Sequence, residues 1–141
     1  MNKNKGFSLV ELIVVVAIMA VLVGILAPAY LSYVEKTRRG TDENMAEEVR
    51  HTIEIATADI CVYDEVVASL PKTYTFTKTM TSIKDAAPVA SDPQMNEALD
   101  DVYGTKGFTV KSKKYKNKTS YTVTVTSSSN GTALNVTGQW N

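Results

Sequence analysis

A long, nearly uninterrupted apolar stretch lies near the N-terminus. The 25 residues from Phe7 to Leu31 contain a single charged side chain, Glu11, and the twenty from Leu12 to Leu31 contain none. As an α-helix with a rise of about 1.5 Å per residue, the uncharged part is about 30 Å long, which matches the hydrocarbon core of a bilayer. The pattern therefore predicts a membrane-spanning helix.

The next thirty residues or so have the periodicity of an amphipathic helix. Apolar side chains recur every three or four positions, and charged ones lie on another face; the apolar members are Met45, Val49, Ile53, Ala56 and Ile60. Gly40 is a weak point in such a helix, and Pro71 is incompatible with its continuation. We predict one long helix from about Phe7 to Ile60, or onward toward Leu70, with a bend near Gly40.

The C-terminal part alternates between apolar and polar residues, as strands do. The pattern predicts a three-stranded antiparallel meander over about 107–140, with strands at Phe108 and Val110, at Tyr121 to Val125, and at Leu134 to Trp140. Turns are expected at Lys116 to Lys118 and at Asn130-Gly131, the latter being a typical hairpin turn. Residues 73–81 alternate as well and can add a fourth strand, and Asp92-Pro93 is typical of a helix start.

These elements define the fold class. An amphipathic helix laid across a three- to four-stranded antiparallel sheet gives an α+β domain, with a helix over about 32–60, a connecting region over about 61–106 and the meander over about 107–140. The length of 141 residues fits one such domain, and no second one is expected.

The charge balance is neutral in sum and uneven along the chain. The 15 basic and 15 acidic side chains are split into five and two over residues 1–39, four and thirteen over 40–101, and six and none over 102–141. The neutral total disfavours a strongly basic nucleic-acid binder and an acidic disordered chain. An acidic middle and a basic end remain.

Few residues are available for chemistry. Cys61 is the only cysteine and His51 the only histidine, so no intramolecular disulfide, cysteine cluster or multi-histidine metal site can form. A Ser-His-Asp arrangement would depend on His51 alone, and a surface histidine on a helix is the simpler interpretation. Cys61 is interpreted as a small packed side chain. The chain is therefore predicted not to be an enzyme and to need no cofactor or metal.

Three interpretations of the N-terminal segment compete. Lys3 and Lys5 precede the apolar stretch, and the positive-inside rule then places the N-terminus in the cytoplasm. A plain single-pass anchor and a secretory signal peptide, cleaved after Ala29, both fit this arrangement. However, the apolar stretch is longer than in a signal peptide, and a carboxylate within a membrane helix is costly enough to suggest a function for Glu11.

The residues Gly6-Phe7-Ser8-Leu9-Val10-Glu11, between a short basic leader and a long apolar helix, closely resemble the prepilin motif of type IV pilins and pseudopilins. The resemblance is specific over residues 1–39. It implies that a prepilin peptidase removes residues 1–6 by cutting between Gly6 and Phe7 and methylates the new amino group of Phe7. Residues 7–31 would form the transmembrane and filament-core helix, and residues 32–141 the globular head.

The resemblance also implies roles for other residues and partners. Glu11 would pair with the Phe7 amine of a neighbouring subunit during assembly, and the helix would kink or melt around Gly24 to Pro28. The expected product is an extracellular filament built from copies of this chain, with an assembly ATPase and a platform protein as further partners. It would serve adhesion, motility or DNA uptake.

Alternatives to a major pilin remain open. A minor pilin, or a pseudopilin of a secretion or competence apparatus, fits the same motif, and a membrane-anchored surface binding domain that never polymerises belongs to another class. Many Gram-negative type IV pilins close a C-terminal loop with a disulfide, which this chain cannot do. This departure favours a Gram-positive bacterium or a pseudopilin.

The densest basic segment lies in the C-terminal part. Five lysines occur within eight residues, at Lys111, Lys113, Lys114, Lys116 and Lys118. Their spacing predicts a charged strand or hairpin whose lysines either bind a polyanion such as DNA, dock a neighbouring subunit, or only keep the sheet edge soluble.

Overall fold

A computed structural model describes residues 6–87, 89–129 and 133–141. The chain divides between residues 37 and 38 into two compact units. The first is helical over its described residues from Leu9 onward, and the second, called the head below, comprises residues 38–141. The α+β fold class predicted from the sequence is confirmed, with a long N-terminal helix and a three-stranded antiparallel sheet.

The longest element is helix α1, Leu9–Ala56. It continues through Gly40 without a break and ends four residues before the predicted Ile60. The chain turns there because Asp59 starts a second helix, α2 (Ile60–Val67): its carboxylate accepts a hydrogen bond from the backbone N–H of Cys61 at 2.9 Å.

The main sheet has three strands, β1 (Lys72–Thr77), β4 (Ser120–Ser127) and β5 (Leu134–Trp140), in the antiparallel order β1-β4-β5. Strands β2 (Thr79–Met80) and β3 (Phe108–Thr109) form a separate pair. Between these strands lie two 3₁₀ turns (Ile83–Asp85 and Val89–Ser91), helix α3 (Pro93–Tyr103) and a one-turn helix, α4 (Lys113–Lys116).

The predicted order of the meander is wrong at its first strand. Phe108 pairs with Met80 in the small sheet, and the partner of β4 is β1, the segment that the alternation at 73–81 offered as a fourth strand. The pairing of β4 with β5 is confirmed, with Val125 opposite Val136. The predicted Asn130-Gly131 turn lies outside the described residues. Phe108 still joins the core through its ring, which lies 6.2 Å from that of Tyr121.

The core of the head lies between α1, the main sheet and α3. From α1, Val49 and Ile53 are fully buried, and from β1 and β4 so are Phe76 and Val123. Met95 and Leu99 of α3 complete the same cluster. The apolar face predicted for α1 is thus the buried one as far as Ala56, whereas Ile60 is 75% exposed because the helix has already ended.

Candidate assembly and surface sites

The N-terminal segment begins with two exposed residues and a well-defined helix start. Gly6 and Phe7 precede α1, and 91% of the surface of Phe7 is exposed. The Ser8 hydroxyl accepts a hydrogen bond from the N–H of Val10 at 3.3 Å, and the Glu11 carboxylate accepts one from the N–H of Ser8 at 2.9 Å. This is a capping box, in which two residues three positions apart satisfy the first backbone donors of a helix.

Apolar side chains cover this part of α1 on all sides. The large hydrophobic side chains between Phe7 and Leu31 are exposed, and even the least exposed of them, Val15, keeps 46% of its surface accessible. The helix is long and apolar enough to cross a membrane, with a mean hydropathy of 3.1 over its best window. Such a surface needs lipid or other apolar helices around it, because the exposure of so much apolar surface to water is unfavourable.

Gly24 and Pro28 both lie inside α1. The segment between them is helical in this structure, and a Cβ at Gly24 would have no atom within 4 Å. The predicted kink concerns the assembled filament, where neighbouring helices surround this stretch. It stays a prediction.

In the head, the lysine segment is not the strand that its spacing predicts. Residues 113–116 form helix α4, and Ser112 occupies the N-cap position before it. The cause is a contact with a residue about seventy positions earlier in the chain. The buried carboxylate of Asp42 accepts hydrogen bonds from the backbone N–H groups of Lys111 at 3.0 Å and Ser112 at 2.7 Å. These bonds turn the chain out of the extended conformation.

Glu43, the next residue of α1, holds the other side of this segment. Its carboxylate accepts a hydrogen bond from the Tyr115 hydroxyl at 2.6 Å and lies 3.3 Å from the Lys114 ammonium and 3.4 Å from the guanidinium of Arg39. The Tyr115 hydroxyl first, and then Lys114, hold the pKa of the Glu43 carboxyl below its usual value of 4.5. The ring of Tyr115 stacks on Trp140 with centroids 4.5 Å apart.

The lysine side chains themselves stay at the surface. Lys111, Lys113, Lys114, Lys116 and Lys118 are all exposed, while Tyr115 between them is buried. Lys78 joins them from the end of β1, because its ammonium donates to the backbone carbonyl of Lys116 at 3.2 Å. The structure thus brings together most of the predicted basic patch, with Lys114 also bound to Glu43.

The remaining sequence candidates show no sign of chemistry. His51 and Cys61 are both exposed, so the interpretation of Cys61 as a packed side chain is wrong. Cys61 lies in α2, which buries Val62 and Val66 instead. Among the described residues, no group of three or more histidine, cysteine, aspartate or glutamate side chains is arranged to hold a metal ion.

Two features of the sites escaped the sequence analysis. The capping box has a local signature, Ser8-Leu9-Val10-Glu11, in which a serine is followed three residues later by glutamate. Asp42 has none, because its partners at Lys111 and Ser112 are about seventy residues away along the chain.

Comparison with known proteins agrees with the N-terminal geometry. Residues 1–27 match the family model described as the prokaryotic N-terminal methylation motif. The chain is 29% identical over 118 residues to the type IV major alpha-pilin of Moraxella bovis, covering 82% of this chain and 74% of that protein. The chain is thus similar to type IV pilins, both in its N-terminal motif and over most of its length.

Two further relatives of the pilin match over shorter stretches. The fimbrial protein Q of Moraxella bovis is 47% identical over 38 residues, covering 27% of this chain and 24% of that protein. The fimbrial protein of Moraxella nonliquefaciens is 36% identical over 53 residues, covering 38% and 34% respectively. No solved structure gives a significant match. These likenesses support a type IV pilin subunit, and the apolar N-terminal helix fits a membrane anchor.

Proposed function

We propose that this chain is the precursor of a type IV pilin: it is cut between Gly6 and Phe7, methylated on the Phe7 amine and packed through residues 7–31 into the core of the pilus. The observation that carries the proposal is the apolar surface of α1 up to Leu31, which is exposed on all sides of the helix. The apolar residues of the head, by contrast, are buried in its own core. A single helix with such a surface fits a bilayer first and a bundle of like helices afterwards.

Glu11 supplies the specific contact of the proposed assembly. A carboxylate within an apolar layer is costly unless it is paired, and the charged Phe7 amine of a neighbouring subunit is a partner of opposite sign. One oxygen of Glu11 already accepts from the Ser8 N–H, and a carboxylate has lone pairs left for a second donor. The same packing would bend α1 between Gly24 and Pro28, where glycine and proline weaken the hydrogen-bond ladder.

The proposal includes partners and places of action. A prepilin peptidase and methyltransferase acts at the cytoplasmic face, a platform protein and an ATPase drive assembly, and the head is displayed at the cell surface. The source is proposed to be a bacterium, with a Gram-positive one favoured by the single cysteine. The pilus would serve adhesion, motility or DNA uptake, with the exposed lysines at 111–118 as a candidate contact surface.

The mature N-terminus tests the processing. Mass spectrometry of the chain recovered from sheared surface material should identify N-methylated Phe7 as the first residue. A chain beginning at Tyr30 would instead indicate a secretory signal peptide, and one retaining Met1 a plain membrane anchor; either result would contradict the proposal. Filaments in electron micrographs identify a major pilin. A processed chain without abundant filaments identifies a minor pilin or pseudopilin.

Two substitutions at Glu11 test the assembly contact. Glu11→Ala removes both the cap on Ser8 and the charge, whereas Glu11→Gln keeps an oxygen that can accept from Ser8 and removes only the charge. Both variants should be inserted and cleaved, and both should yield few filaments. Normal incorporation of Glu11→Gln would contradict the charge pair while leaving the cap in place.

A further inference from the structure

The charges of the head are concentrated at two ends. One end, called the basic end, lies around Asp42 and Glu43 of α1, to which the lysine segment is bound. Its cations, among the described residues, are Arg39, Lys78, Lys111, Lys113, Lys114, Lys116 and Lys118. The carboxylates of Asp42 and Glu43, which accept hydrogen bonds from this segment, offset only two of these seven positive charges. The basic end therefore keeps a large positive excess.

The other end, called the acidic end, lies around α2 and α3. Gln94 at the start of α3 donates its backbone N–H to Glu65 of α2 at 3.1 Å, and Tyr103 at its end hydrogen-bonds to Thr52 of α1 at 2.9 Å. The exposed carboxylates here are Glu54, Asp59, Asp64, Asp85, Glu97, Asp100 and Asp101. Three cations lie among them, and each is bound to a carboxylate: Lys72 to Asp92, Lys84 to Asp100 and Arg50 to Glu54.

The lengths of α1 and β1 give the distance between the basic end and the acidic end. From Asp42 to Ala56, where the chain leaves for α2, α1 rises about 20 Å. Strand β1 and the residue after it run back from Lys72, bound to Asp92 of the acidic end, to Lys78, bound to Lys116 of the basic end; that is again about 20 Å. The head is therefore an electrical dipole along its own helix, with both poles at the surface.

Resting on the proposed filament, we infer that the basic end of one head docks on the acidic end of a second copy of this chain. A contact between two different surfaces of the same molecule is heterologous, and it propagates into a filament wherever its rotation does not close into a ring. Opposite potentials speed such encounters and fix their register.

A second copy explains more than a polyanion does. A DNA strand would use the basic end only and would leave the acidic end without a partner. A second copy of the chain uses both ends, and the neutral total of 15 basic and 15 acidic side chains keeps overall repulsion between copies small.

Charge reversal tests the docking in cells that express the full chain. The first variant is Lys116→Glu with Lys118→Glu at the basic end, and the second is Glu97→Lys with Asp101→Lys on one face of α3 at the acidic end. The third combines all four changes, which turns the dipole around and restores complementary ends. Lys106→Glu is the control, because this lysine is half-exposed and bound to Glu48 between the two ends.

The yield of sheared filaments, relative to membrane-held chain, is the readout. Each of the first two variants should lose about five-fold or more, the control should stay near wild type, and the fourfold variant should recover much of the loss. Full yields from the first two variants, or a basic-end variant that loses only the retention of DNA, would overturn the inference alone. An absence of filaments from the wild type would overturn the proposed function, and the docking with it.

Discussion

Replacing Asp42 by alanine removes the carboxylate that folds the lysine segment against α1. The side chain is fully buried, and it accepts from the backbone N–H groups of Lys111 at 3.0 Å and of Ser112 at 2.7 Å. A hydrogen bond to a charged group contributes about 1.5–3 kcal/mol net. Because the freed N–H groups can partly regain water, we expect a loss of about 2–4 kcal/mol, and Asp42→Asn, which keeps one neutral acceptor, should lose less.

The assay is thermal unfolding of the full chain in detergent micelles, followed by the fluorescence of Trp140. This is the only tryptophan, and its ring stacks on Tyr115 of the same segment. A loss of 2 kcal/mol corresponds to a fall in Tm of about 8 °C or more for a domain of this size. Asp64→Ala on the exposed face of α2 is the matched control and should change stability by less than about 0.5 kcal/mol. Equal Tm values for the two alanine variants would refute the role of Asp42.

Two further predictions concern the same side of the head. Gly138→Ala should destabilise it by about 1–3 kcal/mol in the same assay, because the new Cβ would clash with the hydroxyl of the buried Tyr121; an unchanged Tm would mean that the ring moves freely. The lowered pKa of Glu43 stabilises the fold above the ordinary carboxyl pKa, and this stability should be lost as the pH falls through the lowered value. Tyr115→Phe should reduce that acid sensitivity in a pH series of Tm, and an unchanged pH dependence would contradict the assigned cause.

Local patterns predicted the elements whose cause is local. The buried face of α1 follows from the spacing of Val49 and Ile53, and β4 follows from the alternation of Tyr121, Val123 and Val125, because a helix or strand with one apolar side has few ways to bury it. The methylation motif was likewise readable, since its residues are consecutive. The sequence therefore sufficed to predict the fold class and the likeness to type IV pilins.

The sequence did not suffice to predict which strand pairs with β4 or which conformation the lysine segment adopts. Nothing local distinguishes Phe108–Thr109 from Lys72–Thr77 as the neighbour of β4, since both alternate; the choice depends on which residues reach the core. The segment before Tyr115 has the charges of a solvated strand, and it becomes helical only because Asp42 binds its backbone. Such contacts between distant parts of the chain override local propensity.

The capping box changes how the proposed role of Glu11 should be understood. In the isolated chain its carboxylate is bound to the N–H of Ser8, so the group that would meet a neighbour's amine is already positioned at the first turn of α1. Assembly then adds a charge pair to a group held by its own helix, and little side-chain entropy remains to be lost. The same bond orients the start of the helix, from which the Phe7 amine would emerge after cleavage. Glu11 would thus act twice in the proposed contact. On its own chain it is the positioned acceptor, and on the neighbouring chain the equivalent Glu11 orients the helix start that carries the Phe7 amine, the donor.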